Sequence, residues 1–331
     1  MDFDADGKLD LVSGSYDPGE IYLFRGLGGG QFAASEAIKD RGGKPIVKVP
    51  TQKEKVESFG SWMATVDWDD DGDLDILVGT FDGMIFLRRN EGTRQQPAYA
   101  VANEWVKLGP KPLRVPGGEH ASPVIADWDG DGRWDILTGA GDGGVYWYRN
   151  VGGRGRPDFE APVALVPKHE GIGYSEVLEA GQDPRPGIRS QIAVTDHDGD
   201  GKLDLLLGDF RTYLHIRKDL TPDQRRAFSE VVRKQAEATK FLRDSMDRLR
   251  EDYKVTMKGV PMSDWNTPEN SAKFQARYKE MKESPAYKTH NEVYEATQKQ
   301  VLEYVDRTAP GKHLGSDPAV SHGFVWLFRR K

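Results

Sequence analysis

The chain contains no cysteine, so neither disulfide nor thiolate chemistry enters its stability or its function. No apolar run approaches the ~20 residues that a membrane-spanning helix needs. The nucleophile elbow G-x-S-x-G, the zinc-protease pattern H-E-x-x-H and any phosphate-binding loop are missing, and the seven histidines are scattered. Basic residues form no stripe, which argues against a nucleic-acid partner. No leader-type segment precedes the opening Met-Asp-Phe-Asp, so the sequence is expected to begin downstream of its natural start.

What is present in excess is aspartate, gathered in four copies of one phrase. They read DFDADGKLDLVSG (2–14), DWDDDGDLDILVG (67–79), DWDGDGRWDILTG (127–139) and DHDGDGKLDLLLG (196–208), starting 65, 60 and 69 residues apart. Such a period marks a repeat architecture. Of 53 acidic residues, 16 stand at the first, third, fifth and ninth positions of these phrases; the remaining 37 are outnumbered by 46 Lys and Arg, so the net charge of −7 belongs to the phrases.

Four carboxylates held in nine residues repel one another, each like-charge pair at ~4 Å costing roughly 1–4 kcal/mol at surface-like dielectrics. A cation relieves that repulsion. The side-chain donors are all hard oxygens, which favours Ca²⁺ over Zn²⁺ and over the smaller, water-retaining Mg²⁺. A solvated acidic turn explains one copy but not four in register. An EF-hand loop begins the same way, yet it needs a bidentate Glu at position twelve and flanking helices; here that position holds Ser13, Val78, Thr138 and Leu207, inside β-rich sequence.

The phrases resemble the FG-GAP or VCBS repeats of integrin-α-type β-propellers, over roughly residues 1–210 and the last ten. The overall look also resembles secreted bacterial FG-GAP proteins. The resemblance implies an all-β propeller whose acidic loops join the first and second strands of each blade and hold about four structural Ca²⁺. Carried over position by position, the carboxylate ligands are Asp2, Asp4, Asp6 and Asp10; Asp67, Asp69, Asp71 and Asp75; Asp127, Asp129, Asp131 and Asp135; Asp196, Asp198, Asp200 and Asp204. Lys8, Asp73, Arg133 and Lys202 would each add a backbone carbonyl.

Strand patterning agrees with four short strands per unit. The third strands align as GEIYLFRG, GMIFLRRN, GGVYWYRN and GFVWLFRR. The last of these begins only at Gly323, although the second strand of the fourth repeat is expected to end near Phe210. Residues 1–210 and 322–331 are therefore read as propeller, with 211–321 as a helical hairpin or bundle inserted in the fourth blade. Thr221-Pro222 starts a helix whose Phe228, Val232, Gln235, Thr239, Leu242, Met246, Leu249 and Tyr253 follow a heptad, coiled-coil-like seam. Two further helical patterns follow Pro268 and Pro285. Four blades are visible, with the first and last each short of a strand.

The metal loops belong to one face of such a disc. The opposite face carries Tyr16, Asp17, Phe81, Asp82 and Asp142 in equivalent turns, and Trp62, Glu119, His120 and Arg189 near the central channel. The expected function is a binding, adhesion or scaffold module without enzymatic activity, taking a protein or glycan ligand on this non-calcium face through Trp62, Glu119, His120 and Arg189. Millimolar external Ca²⁺ would saturate even weak loops, which favours an extracellular or periplasmic location. The alternative is an extracellular carbohydrate- or lipid-active hydrolase or lyase, and the helices offer a route to self-association.

Overall fold

Each acidic phrase runs from a tight loop straight into a β-strand, and these strands share one pairing register. The computed structural model describes residues 1–16, 19–46, 61–153, 155–169, 175–178, 186–260, 267–308, 312–313 and 320–330. The chain divides into two units: Met1–His169, Arg185–Phe210 and Gly323–Lys331 form the first, and Glu170–Pro184 with Arg211–His322 the second.

The first unit is a series of antiparallel sheets. The first repeat supplies β1 (Leu11–Gly14), β2 (Ile21–Phe24) and β3 (Glu36–Ala37). The second forms a four-stranded sheet of β4 (Trp62–Val66), β5 (Asp75–Gly79), β6 (Ile85–Arg88) and β7 (Glu104–Trp105). The third repeats it with β8 (Ser122–Ala126), β9 (Asp135–Gly139), β10 (Val145–Tyr148) and β11 (Val163–Val166). In the fourth, β12 (Ile188–Thr195) and β14 (Val325–Phe328) flank the first part of β13 (Asp204–His215). Leu11 pairs with Phe24, Ile76 with Arg88, Ile136 with Tyr148 and Leu205 with Phe328, so the second and third strands meet identically in every repeat.

The apolar runs after the second and third loops are explained by burial on both faces of their sheets, whereas β1 after the first loop alternates exposed and half-buried. Ile76 and Val78 pack toward the first repeat, beside Phe3, Ile21 and Leu23, while Leu77 packs toward the third, beside Ile136 and Tyr148. Leu137 and Val145 in turn meet Leu205 and Leu207. At about 1.5–3 kcal/mol per buried large aliphatic side chain, this interleaving is the main stabilising term of the unit. The glycine that closes each phrase is demanded by close approach: a Cβ at Gly14, Gly79 or Gly139 would sit 1.8–2.0 Å from the carbonyl oxygen of Ser61, Ala121 or Ser190, where the next repeat begins. Among the described residues Gly208 has no such neighbour, its nearest contact being the Gln191 carbonyl 3.7 Å away.

The second unit combines helices with a small sheet. The second strand of the fourth repeat does not end at Phe210. It continues to His215, where Ser175–Leu178 pairs with it in parallel and Val320–His322 antiparallel, with Lys312–His313 beyond. Backbone partners on both sides, supplied by distant segments, carry the strand past the expected turn. Helix α1 (Pro222–Thr256) starts with a capping box in which Thr221 and Gln224 exchange hydrogen bonds, and α2 (Pro268–Glu283) and α3 (Pro285–Val301) start at Thr267 and Ser284. The seam residues from Phe228 to Tyr253 are buried or half-buried. Phe228 joins Ile216, Leu220, Val301 and Val305 in a core, and Phe241 stacks on His290 at 3.7 Å between ring centroids.

Candidate metal centres

The four acidic loops share one hydrogen-bond pattern. The first aspartate accepts from the amides of the fifth and sixth residues: Asp6 and Gly7 on Asp2, Asp71 and Gly72 on Asp67, Asp131 and Gly132 on Asp127, Asp200 and Gly201 on Asp196, all at 2.9–3.1 Å. The fifth accepts from the amide of the seventh, Lys8, Asp73, Arg133 or Lys202, at 2.8–3.0 Å. The glycine at position six has φ between 84° and 92°, where a side chain is strained, so the turn that gathers the carboxylates requires it.

The ninth aspartate has a different task. It is almost fully buried in every loop, at 6%, 1%, 0% and 1% exposure for Asp10, Asp75, Asp135 and Asp204. One oxygen accepts the amide of the loop's second residue, Phe3, Trp68, Trp128 or His197. The other accepts an amide at the end of the third strand, Gly26, Asn90, Asn150 or Arg330, at 2.7–2.9 Å. The carboxylate thus ties the acidic loop to the end of the third strand of its own sheet. Burial raises Asp75 to about 6 against those two bonds and raises Asp135 too, whereas the Arg330 amide holds Asp204 below the ordinary carboxylate value.

Side-chain oxygens of Asp2, Asp4 and Asp6, of Asp67, Asp69 and Asp71, of Asp127, Asp129 and Asp131, and of Asp196, Asp198 and Asp204 each gather within 4.8 Å. Oxygens bound to one Ca²⁺ at about 2.3–2.6 Å lie at most about 4.6–5.2 Å apart, so each trio fits a single Ca²⁺ sphere. The second loop adds a stronger sign. Asp73, the seventh residue, is 4% exposed, and both its oxygens are buried without a hydrogen-bond donor among the described residues. Burial, then the charges of Asp71, Asp75, Asp69 and Asp67, push it up to about 7. The residues present therefore fit a hard cation.

A counter-charge beyond the acidic phrases lies in the aligned third strands. Arg25 pairs with Asp4, Arg89 with Asp69 at 2.8 Å, Arg149 with Asp129 at 2.6 Å and Arg329 with Asp198 at 3.8 Å, so one arginine per repeat faces the third loop position. Its signal was the arginine recurring at one place in all four third strands.

The residues expected near the channel also come together. Trp62 meets His120 edge-on at 5.4 Å, Phe81 lies 4.1 Å from the same ring, and Glu119 Oε2 lies 3.9 Å from His120 Nδ1. Gly141 joins them to Arg189, its amide donating to the Glu119 carbonyl while its carbonyl accepts the Arg189 amide. His120 and Arg189 both hold positive φ, 55° and 57°, the first just before β8 and the second at the start of β12. Arg189 projects over Phe210 at 5.8 Å. Asp82 and Asp142 serve their own turns, accepting from Thr80 and from Gly144 and Tyr146. Asp17 lies outside the described residues.

Residues 67–138 match the family model of the FG-GAP-like repeat. That match begins at the second acidic loop and ends in β9, taking in β5 to β8 and the third loop. Over 195 residues, 57% of this chain, the sequence is 26% identical to cartilage acidic protein 1 of Xenopus tropicalis. The match covers 25% of that relative, so the chain spans about a quarter of its length. Among the described residues, no helix is long and apolar enough to cross a membrane.

Proposed function

We propose that the chain is a Ca²⁺-stabilised β-propeller that acts outside the cell, or in a periplasm, as a non-enzymatic binding module for a protein or glycan partner. The observation that carries this reading is that three carboxylates converge in each of the four loops and that the ninth aspartate is buried in each, being itself one of the three in the fourth. The FG-GAP-like repeat supports it. The full ligand set would be the first, third, fifth and ninth aspartates of each loop with the carbonyls of Lys8, Asp73, Arg133 and Lys202. Ion binding removes the repulsion among these groups and so couples to folding.

The partner would engage the cluster of Trp62, Glu119, His120 and Arg189. Two non-glycine residues held at positive φ carry a conformational cost of about 1–3 kcal/mol each, as is common at ligand sites. A glycan array and a general hydrolase screen on the Ca²⁺-loaded chain test the reading together. Binding that is lost in Arg189→Ala with an unchanged melting curve supports it, and turnover of any screened substrate favours the hydrolase or lyase instead. Chelation is expected to lower the melting temperature by several degrees or more; a melting curve indifferent to Ca²⁺ removes the structural role of the ion. Asp131→Ala should lose one bound Ca²⁺ per chain by calorimetry and leave the other sites.

A further inference from the structure

In the second unit, two histidines from sequence-distant strands meet tip to tip. His215, at the end of β13, and His322, in the strand Val320–His322, bring their Nε2 atoms to 3.2 Å across 107 residues of sequence. Both rings are half-buried, with centroids 5.5 Å apart and planes inclined by 61°. Tyr213 lies under them, 2% exposed, its ring centroid 5.5 Å from that of His322, and the Arg211 guanidinium covers the tyrosine at 5.2 Å.

We propose that His215 and His322 form a site for a borderline divalent transition metal, Zn²⁺ in the first instance, chemically independent of the acidic loops. Two imidazole nitrogens at about 2.0–2.1 Å from one tetrahedral Zn²⁺ lie about 3.3–3.4 Å apart, close to the separation here. Arg211 pairs with His322 and Tyr213 with Val320 in register, so both donors stand on hydrogen-bonded strands, and the packed Tyr213 supports them from below. A donor pair fixed in this way binds with little reorganisation. Water completes the coordination, as at a zinc site with open positions. Imidazole selects Zn²⁺ or Cu²⁺ over Ca²⁺, whereas the carboxylate loops prefer the harder ion, so the two classes of site can be loaded separately.

The competing account is a simple N–H···N hydrogen bond between neutral rings. The full chain, held in excess Ca²⁺ to occupy the acidic loops, is titrated with Zn²⁺ by calorimetry. One Zn²⁺ per chain is expected, with affinity reduced roughly tenfold or more in His215→Ala and in His322→Gln. Because either change can disturb the sheet, ¹⁵N-histidine spectra of the unmodified chain supply a second readout: Zn²⁺ should move the Nε2 resonances of both residues together. Zn²⁺ binding that is unchanged in both variants overturns the site. So do Nε2 resonances that stay fixed through the titration.

Discussion

The third and fourth repeats carry almost the same acidic phrase yet complete their sheets in opposite ways. In the third, the chain turns back at once, and the amide that closes the Asp135 clamp is 15 residues away at Asn150. In the fourth, the corresponding amide belongs to Arg330, 126 residues beyond Asp204, yet the bond is 2.9 Å against 2.7 Å. Strand register is preserved as well, Leu205 meeting Phe328 as Ile136 meets Tyr148. The repeat is therefore defined by local geometry around the ninth aspartate, and chain continuity is dispensable.

The comparison can be broken most sharply at the closing glycine. Gly139→Ala places a Cβ 2.0 Å from the Ser190 carbonyl and is expected to cost about 4 kcal/mol or more in denaturant unfolding. Gly208→Ala brings a Cβ into ordinary van der Waals contact with the Gln191 carbonyl at 3.7 Å and should change stability by less than about 1 kcal/mol; equal effects at the two sites would refute close approach as the reason for the glycine. Next in size is the clamp. Asp135→Ala strands two backbone amides and the Trp147 indole N–H, at about 3 kcal/mol. Asp204→Ala should instead loosen the far strand selectively, seen as faster amide exchange over Val325–Phe328.

Acid titration separates the same pair by sign. Asp135 is raised by burial, so the stability it supports is present below the unfolded carboxylate value near 3.9 and falls as pH rises through its folded value. Asp204 is lowered by the Arg330 amide, so its contribution is present above about 3.9 and is lost as pH falls. Carboxyl ¹³C titration of the cation-free chain should place Asp135 above and Asp204 below the ordinary range. Asp73 gives the extreme case of the raised kind: between pH 4 and about 7 the cation-free chain should lose stability, and Asp73→Asn should flatten that loss. The smallest effect is at the arginines. Arg149→Gln should leave the melting temperature unchanged while slightly tightening cation binding to the third loop, and Arg329→Gln should do less, its partner being 3.8 Å away rather than 2.6 Å.

Much of this arrangement is legible in the sequence because it is local. Glycine at position six, the apolar run and the aligned third strands each follow from a few neighbouring residues. The ninth aspartate is visible as a carboxylate, but its two amide partners are not, since one lies 15 to 126 residues away. The extension of β13 to His215 was missed for the same reason: its partners at Ser175–Leu178 and Val320–His322 are remote, and a strand paired by distant segments leaves no local periodicity to find. His120 and Arg189 were singled out by position, but their shared left-handed backbone belongs to the fold and has no glycine to announce it.

The pairing of β13 with β14 has a consequence for how such chains are built and rebuilt. The polypeptide leaves the first unit after Phe210 and re-enters it at Gly323, and those two places are neighbours in one ladder, with Gly208 opposite Val325. Whatever lies between needs only ends about one strand spacing, ~4.8 Å, apart. A two- to five-residue turn joining Phe210 to Gly323 should therefore leave the fourth acidic loop and its clamp intact, with amide exchange over Val325–Phe328 unchanged.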